Sequence, residues 1–355
     1  MVEISKILVR ANNSLREAIA CIDQNAKGIA LVVDKEDHLV GTVTDGDIRR
    51  AILAGMDLDL PLQALMEQRV SLSYRGPVTA PAGTSDPELI RMMNEYGLHH
   101  IPIVDENGRV VDLASLDDLV KEYEIPLRAV VMAGGYGTRL HPLTEELPKP
   151  MLPVGDRPLL EWIIQQLSQA GIRRVNLTTH FKGDVIAQHF GNGQKFGVEI
   201  CYVEESQPLG TAGALSLIES PTDPLLVING DILTRVDFRA MADFHREQQA
   251  DMTVAVKEHE FHVPYGVVDT NGVRITGISE KPVVRHFINA GIYLLNPEVC
   301  RSIPKGRPYD MPQLIRQLVM DKRRVVSFLV REYWLDIGKA EDYKQALADI
   351  KSGKV

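Results

Sequence analysis

Residues 30–48 (ALVVDKEDHLVGTVTDGDI) and 101–119 (IPIVDENGRVVDLASLDDL) align without a gap. No other feature constrains the early part of the chain as tightly. A repeat means one supersecondary unit folded twice. Asp34 falls on Asp105, Thr44 on Ser115 and Asp47 on Asp118. Each copy reads as a short apolar strand, a polar turn (Lys35-Glu36-Asp37 or Glu106-Asn107-Gly108), a second strand and the opening of a helix. A further helix precedes each hairpin. The first starts at Ser14, with Glu17 at capping-box spacing and Leu15, Ala18, Ile19 and Ile22 on one face. The second runs from about Asp86 through Leu89, Ile90 and Met93 to Gly97. The expected boundaries are 1–60 and 61–124 for the two repeats and 125–355 for the remainder, with a short linker from Lys121 to Pro126.

The remainder opens on a buried-strand pattern, Ala129-Val130-Val131-Met132-Ala133, which runs directly into Gly134-Gly135-Tyr136-Gly137-Thr138-Arg139. Glycines let the backbone turn sharply and bring N–H groups up to an anion. A strand followed by such a loop is where α/β sheets hold nucleotides. No Gly-Lys-Ser/Thr follows, so this is not a Walker A loop. The continuation, AGGYGTRLHPLTEELPKPMLPV at 133–154, places Arg139 and Lys149 on one phosphate-facing segment. Pro142, Pro148, Pro150 and Pro153 stiffen it, which limits the entropy lost on binding.

Composition narrows the function classes. The chain has 355 residues, 45% apolar and 25% charged, enough for sizeable cores. A net charge of −9 argues against non-specific nucleic-acid binding. The three cysteines, Cys21, Cys201 and Cys300, are far apart and in no metal-ligand spacing. They read as thiols in a reducing compartment. Neither a bilayer-length apolar run nor a signal-peptide layout is present, so a cytoplasmic protein without membrane partners is expected. His99 and His100 are adjacent and would point apart on a regular element; His180 and His189 stand alone.

Two resemblances follow from these motifs. The duplicated unit over residues 1–124 resembles a tandem pair of CBS domains, an α+β module that often binds adenine nucleotides between its repeats. The resemblance implies that Asp47 or Asp118 holds ribose hydroxyls, with Thr44 or Ser115 near the phosphates, and that AMP, ADP or ATP is an effector. The first copy, with GTVTDGDIRR at 41–50, matches better; the second has Asp112 for Gly41 and Ser115 for Thr44. CBS pairs also commonly associate, so a homo-oligomer is expected.

Residues 127–350 resemble the sugar-1-phosphate nucleotidylyltransferases, through the 133–154 run and a set of motifs in family order. These are ESQPLGTAGAL at 205–215, Val227-Ile228-Asn229-Gly230-Asp231, Pro264-Tyr265-Gly266-Val267-Val268, Glu280-Lys281-Pro282, Asn289-Ala290-Gly291-Ile292-Tyr293 and Trp334-Leu335-Asp336-Ile337-Gly338. The implied fold is α/β, Rossmann-like, with a mostly parallel sheet. The implied reaction joins an NTP to a sugar 1-phosphate, giving an NDP-sugar and pyrophosphate. In that reading Ala133, Gly134, Gly135, Gly137, Thr138, Gly210 and Thr211 bind the nucleotide, and a side chain at Gly137 would block it. Gly266, Glu280 and Asn289 bind the sugar. Asp231 and Asp336 hold Mg²⁺. Arg139, Lys149, Asp231 and Lys281 carry the catalysis. Tyr265 and Trp334 read as packing residues. Fusion of the two modules resembles the glucosamine-1-phosphate guanylyltransferases of legionaminic acid biosynthesis and, more broadly, mannose-1-phosphate guanylyltransferases. Within that resemblance the PLGTAGAL stretch favours GTP, with UTP, dTTP and CTP left open, and glucosamine 1-phosphate or mannose 1-phosphate is the favoured sugar. The alternative class is an adenylate-binding regulatory or scaffold protein with an inactive transferase half. Retention of Arg139, Lys149, Asp231, Lys281 and Asp336 together argues against it.

Overall fold

The computed structural model describes residues 4–25, 27–68, 76–119, 125–218 and 221–355. Of the expected linker, residues 121–124 lie outside that set. The chain divides into two compact units, Met1–Tyr123 and Glu124–Val355.

The first unit contains β1 (Leu8–Arg10), α1 (Leu15–Asn25), β2 (Ile29–Val33), β3 (Leu39–Thr44), α2 (Asp45–Leu53) and α3 (Leu62–Gln68). It continues with β4 (Ala80–Pro81), α4 (Asp86–Tyr96), β5 (His100–Val104), β6 (Val110–Ser115) and α5 (Leu116–Leu119). The repeat survives down to the register. Ile29 pairs with Thr44 as His100 pairs with Ser115, and both hairpins carry a bulge at the same place, after Val32 and after Ile103. Asp34 and Asp105 explain their own alignment. Each folds its turn by accepting two backbone N–H bonds, from Glu36 and His38 or from Asn107 and Arg109. Those bonds hold both carboxyls below the usual range. Ser14 and Glu17 form the expected reciprocal cap of α1. Gly97 ends α4 in the left-handed conformation at φ 65°. β2 is buried along its whole length because both faces are covered. Ala30 and Val32 face Leu15, Ala18 and Ile48 of their own repeat. Ile29, Leu31 and Val33 face Val110 and Leu113 of the other, so the copies share a core.

The second unit is built on a seven-stranded sheet. Its elements are β7 (Arg128–Met132), β8 (Pro153–Val154), β9 (Arg157–Pro158), α6 (Leu159–Gln169), β10 (Arg174–Thr179), α7 (Gly183–Phe190), β11 (Glu199–Glu204), α8 (Gly210–Gly213) and β12 (Leu225–Asn229). They are followed by β13 (Ile232–Thr234), α9 (Phe238–Glu247), β14 (Met252–His262), β15 (Val267–Asn271), β16 (Arg274–Ser279), β17 (Val283–Leu295), α10 (Pro297–Arg301), α11 (Met311–Met320), β18 (Val325–Leu329), β19 (Trp334–Asp336) and α12 (Ala340–Lys351). The strand order is β11-β10-β7-β12-β17-β14-β18, parallel except for β17, which runs against both neighbours. β7 and β12 are continuous apolar runs because helices and strands cover both of their faces. Val130, Leu225, Val227 and Leu295 pack with Met311 and Leu314 of α11. α6 buries Leu159, Leu160, Ile163, Ile164 and Leu167, the stripe a 3.6-residue period dictates.

Candidate active site

The carboxyl ends of four parallel strands lie side by side, at the edge where α/β sheets bind ligands. Backbone bonds fix the line. Ala133 N donates to Thr178 O, Gly230 N to Met132 O and Glu205 N to Thr179 O. The glycine loop after β7, the Asn229-Gly230-Asp231 end of β12 and the start of the 205–215 segment are thereby neighbours. Gly230 must be glycine for this, since a Cβ there would stand 2.6 Å from Met132 O.

Lys149 is paired with Asp231, and Asp336 and Arg139 stand near enough to interact with the pair. Lys149 lies in a single 3-10 turn, Lys149–Met151, whose prolines hold it in place. It is buried, and its Nζ sits 2.6 Å from Asp231 Oδ2. Asp336 arrives through the antiparallel pairing of β13 with β19, in which it stands opposite Ile232, while Ile337 N donates to Asp231 O. Asp336 is open to solvent on one side, yet protein crowds it closely enough to raise its carboxyl above the usual range. Desolvation is the first cause and the charge of Asp231 the second; Lys149 and Arg139 pull the other way. Arg139 reaches the same neighbourhood, its guanidinium approaching the space over Gly338. Two carboxylates close enough to repel, with two cations near them, form an arrangement that a divalent ion and phosphate oxygens would complete. Asn229 adds a buried side-chain oxygen, Oδ1, with no hydrogen-bond partner. Among the described residues no three His, Cys, Asp or Glu side chains are grouped to hold an ion alone.

Gly137 adopts φ 65°, but the space around it differs from the expectation. A Cβ there would meet Thr144 and Lys149, at 3.0 and 3.1 Å, so this glycine lets the loop close on its own segment. Thr144 Oγ1 donates to Gly137 O across that closure. Gly134 and Gly135 lie on the loop before it, and Thr138 opens the turn Thr138–Leu140. The second nucleotide segment is held by α11. Thr211 N donates to Asp310 Oδ1, and the Thr211 hydroxyl accepts from Met311 N. The Thr211 hydroxyl is therefore already engaged in bracing the turn. Gly210, at φ 77°, has Asp310 Oδ1 2.4 Å from where a Cβ would lie.

Gly266, Glu280 and Lys281 form a second group, on the β15–β16 ribbon. Glu280 Oε2 lies 3.0 Å from a Cβ built on Gly266, and Lys281 takes φ 46°. Asn289 is engaged locally, donating to Tyr293 Oη and accepting from Gly291 N. Trp334 packs as expected, its indole N–H on Ala290 O. Tyr265 does not: it is 74% exposed.

Sequence reasoning passed over a relay behind the glycine loop. His180 Nδ1 lies 2.7 Å from Glu205 O, and its Nε2 lies 2.9 Å from Tyr136 Oη. A carbonyl can only accept, so Nδ1 carries the proton and Nε2 accepts from the tyrosine. Glu205 itself is buried; its Oε2 accepts from Leu209 N, and its Oε1 stands 3.0 Å from where a Gly134 Cβ would lie. A chemical signal existed, an acid five residues before Gly210, but spacing alone does not separate it from Glu204.

In the first unit the two expected ligand positions differ. Asp47 is buried, with Oδ2 accepting from Thr44 N and Oγ1 and Oδ1 paired to Arg50, so Thr44 and Asp47 close a capping box on themselves. Met66 of α3 sits over Gly41, its sulfur 2.5 Å from where a Cβ would lie. The space beside Thr44 and Asp47 is thus filled by the chain's own side chains. At the second copy Asp112, Ser115 and Asp118 line an open cleft of about 780 Å³ together with Lys6, Lys27 and Thr84. Asp118 is paired to Lys27 at 2.8 Å.

Comparison with known proteins agrees with this architecture. Residues 128–353 match the nucleotidyl transferase family model, and residues 3–54 and 71–125 match the CBS domain. The mannose-1-phosphate guanylyltransferase of Mycobacterium tuberculosis is 36% identical over 232 residues, 63% of this chain and 65% of that protein. The chain thus spans just under two thirds of that relative's length. The D-glycero-alpha-D-manno-heptose 1-phosphate guanylyltransferase of Aneurinibacillus thermoaerophilus is 33% identical over 63% of this chain and 99% of its own length. A Bacillus anthracis crystal structure described as a glucose-1-phosphate thymidylyltransferase in complex with sucrose superposes with a TM-score of 0.52 at 27% identity, covering 62% of this chain and 94% of that one. With its glycine loop and paired acids at the carboxyl edge of a mostly parallel sheet, behind two CBS repeats, the chain belongs to the nucleotidyl transferase family.

Proposed function

We propose that the chain is a magnesium-dependent sugar-1-phosphate guanylyltransferase whose CBS pair takes an adenine nucleotide in the Ser115–Asp118 cleft. The observation that carries the catalytic reading is the convergence of Lys149 and Asp336 on Asp231. Magnesium suits this donor set because it binds through one or two carboxylates and completes its shell with phosphate oxygens and water. When bound by Asp231 and Asp336, it supplies charge neutralisation between two polyanionic substrates. Lys149 neutralises the α-phosphate, Arg139 the departing pyrophosphate, and Lys281 the phosphate of the sugar. A sugar-phosphate oxygen attacks the α-phosphorus in line, the bond to the β-phosphate breaks, and pyrophosphate leaves. The nucleophile is already an anion, so no general base is required. Positioning and electrostatics carry the rate.

Guanine is favoured by Glu205. Its Oε1 is an acceptor without a partner among the described residues, beside Gly134 at the nucleotide loop. Guanine offers N1–H and the 2-amino group on one edge, a match for a carboxylate; uracil and thymine flank their single N–H with carbonyls. The relatives named for mannose and manno-heptose phosphates favour a manno-configured sugar. The adenylate reading rests on the open cleft beside Asp118, whose carboxylate can accept from two ribose hydroxyls once Lys27 turns to a phosphate. The test is pyrophosphate release with Mg²⁺ for GTP, UTP, dTTP and CTP, each with mannose, glucosamine, N-acetylglucosamine and glucose 1-phosphates. Turnover with GTP and one sugar supports the proposal. Silence across the grid with and without AMP and ATP would leave the scaffold class standing.

A further inference from the structure

Arg139 and Lys149 sit on two separate 3-10 turns, Thr138–Leu140 and Lys149–Met151. Between them runs a bend, residues 141–148. Its inner side is anchored, since Thr144 is buried and its hydroxyl donates to Gly137 O. Its outer side, Glu145 to Leu147, is exposed. That side is held from another element. Lys182 Nζ donates to Glu145 O at 2.7 Å and to Glu146 O at 2.6 Å. An ammonium donor makes both bonds charge-assisted, and so stronger than neutral ones. Both acceptors are main-chain oxygens, so the contact fixes the backbone of the bend whatever the two glutamate side chains do.

Lys182 belongs to the turn that leaves β10 at the carboxyl edge of the sheet. It occupies the cap position before α7 with φ 52°, a left-handed conformation that residues with a Cβ rarely take. Glycine would adopt it freely, and Gly183 stands next to it. Gly183 has a separate task. Thr179 Cβ lies 2.9 Å from where a Gly183 Cβ would stand, so α7 starts close against β10. A strained backbone retained beside a functional loop implies a side chain whose position matters. The same turn holds the other half of the loop. His180 accepts from the Tyr136 hydroxyl at 2.9 Å, and its backbone N and Cβ lie 3.3 Å from where a Gly134 Cβ would stand. Phe181, between the two, has its ring centroid 5.6 Å from that of Tyr136 and 5.3 Å from Lys182 Nζ. Three consecutive residues thus grip both the glycine part and the proline part of the phosphate segment.

We propose that Lys182 is a positioning residue for nucleotidyl transfer. It clamps the 145–146 carbonyls to the end of β10, so that Arg139 and Lys149 are held at their working separation before the nucleotide arrives. The link to catalysis rests on the proposed function; the clamp itself does not. Preorganised cations stabilise a transition state only while they are held in place, and a misplacement of about 1 Å costs up to about 10²-fold. Lys281, assigned to the sugar phosphate, comes from the segment after β16 and is not part of the clamp.

Two variants that remove the bonds with opposite effects on the backbone separate positioning from stability. Lys182→Met loses the donors and keeps the strain, so its Tm should fall. Lys182→Gly loses the donors and the strain together, so its Tm should stay closer to wild type. Both should lower kcat/KM for GTP by about 10²-fold and leave the KM for sugar 1-phosphate unchanged. Lys182→Arg, whose guanidinium can donate to two carbonyls, should recover most of the loss. Hydrogen exchange on the full chain without substrate reads the clamp directly. The Leu143 and Glu145 amides, which donate to Leu140 O and Pro142 O, should exchange roughly tenfold faster in the Met and Gly variants. Wild-type kcat/KM in Lys182→Gly, or turnover that only tracks Tm across the variants, overturns the positioning role. Unchanged exchange at Leu143 and Glu145 overturns the clamp. A wild type that releases no pyrophosphate with any substrate pair overturns the proposed function and the positioning role with it, while exchange still decides the clamp.

Discussion

Replacing Lys149 with methionine separates the structural from the chemical use of the Lys149–Asp231 pair. At 2.6 Å and an effective dielectric near 20, the gross attraction is about 6 kcal/mol. Most is offset by desolvation of Lys149, whose side chain is 11% exposed, and by water at Asp231, 28% exposed. The net loss should be about 1–3 kcal/mol, which lowers Tm by roughly 3–10 °C for a unit of this size. The methionine leaves Asp231 and Asp336 facing each other without their nearest cation, and it removes the charge meant for the α-phosphate. That second effect should lower kcat/KM by about 10²–10³-fold, the range for one preorganised electrostatic group. Adding Asp231→Asn to Lys149→Met removes the stranded carboxylate. The double variant should regain Tm and regain no turnover. Thermal melts and a coupled pyrophosphate assay read the two quantities. Turnover within about threefold of wild type in Lys149→Met, with Tm lowered, would make the pair a fold element and refute the catalytic reasoning.

Other consequences follow from the same geometry. Glu205→Gln keeps an acceptor for Leu209 N but removes the carboxylate, so the preference for GTP over ITP, about 10–100-fold if a charged acceptor meets the 2-amino group, should collapse to a few-fold. The raised Asp336 carboxyl contributes stability that is complete below the ordinary aspartate range and lost as pH rises through its raised value. Asp336→Asn should therefore melt higher than wild type at pH 8 without metal, while losing turnover and Mg²⁺ response. Protons should also compete with Mg²⁺ at a higher pH than an ordinary carboxylate allows, which an Mg²⁺ titration of rate against pH reads directly. In calorimetry on the full chain, Asp118→Asn should weaken AMP or ATP binding and Asp47→Asn should not, because Asp47 is closed into its own cap.

Much of this was legible in the chain because the features are local. The duplicated hairpins, the α1 cap, the left-handed end of α4 and the buried β7 all follow from residues within one or two turns of each other. The Lys149, Asp231 and Asp336 motifs were each legible, though bringing them together depends on pairings across long stretches of sequence, β7 with β12 and β13 with β19. What the sequence left unread has the same origin. Whether the first or second CBS copy is open depends on Met66 reaching Gly41 from another helix, which no spacing within the repeat reveals. The packing around Gly137 depends on Thr144 and Lys149, which return to it from further along the loop. His180 looked solitary until β10 and β11 set it between Tyr136 and Glu205. Tyr265 reads as a packing residue, but on the ribbon that carries it the side chain is exposed. No helix among the described residues is long and apolar enough to cross a membrane.

Attack by the sugar-phosphate oxygen on the α-phosphorus, at a site built from Lys149, Asp231 and Asp336, is tested most directly with a labelled substrate. Mannose 1-phosphate carrying ¹⁸O in its phosphate oxygens is incubated with GTP, Mg²⁺ and the full chain, and the products are weighed by mass spectrometry. The account predicts GDP-mannose retaining all of the label and unlabelled pyrophosphate, with no product from Asp231→Asn. Label in the pyrophosphate, or undiminished product from the Asp231 variant, would contradict it.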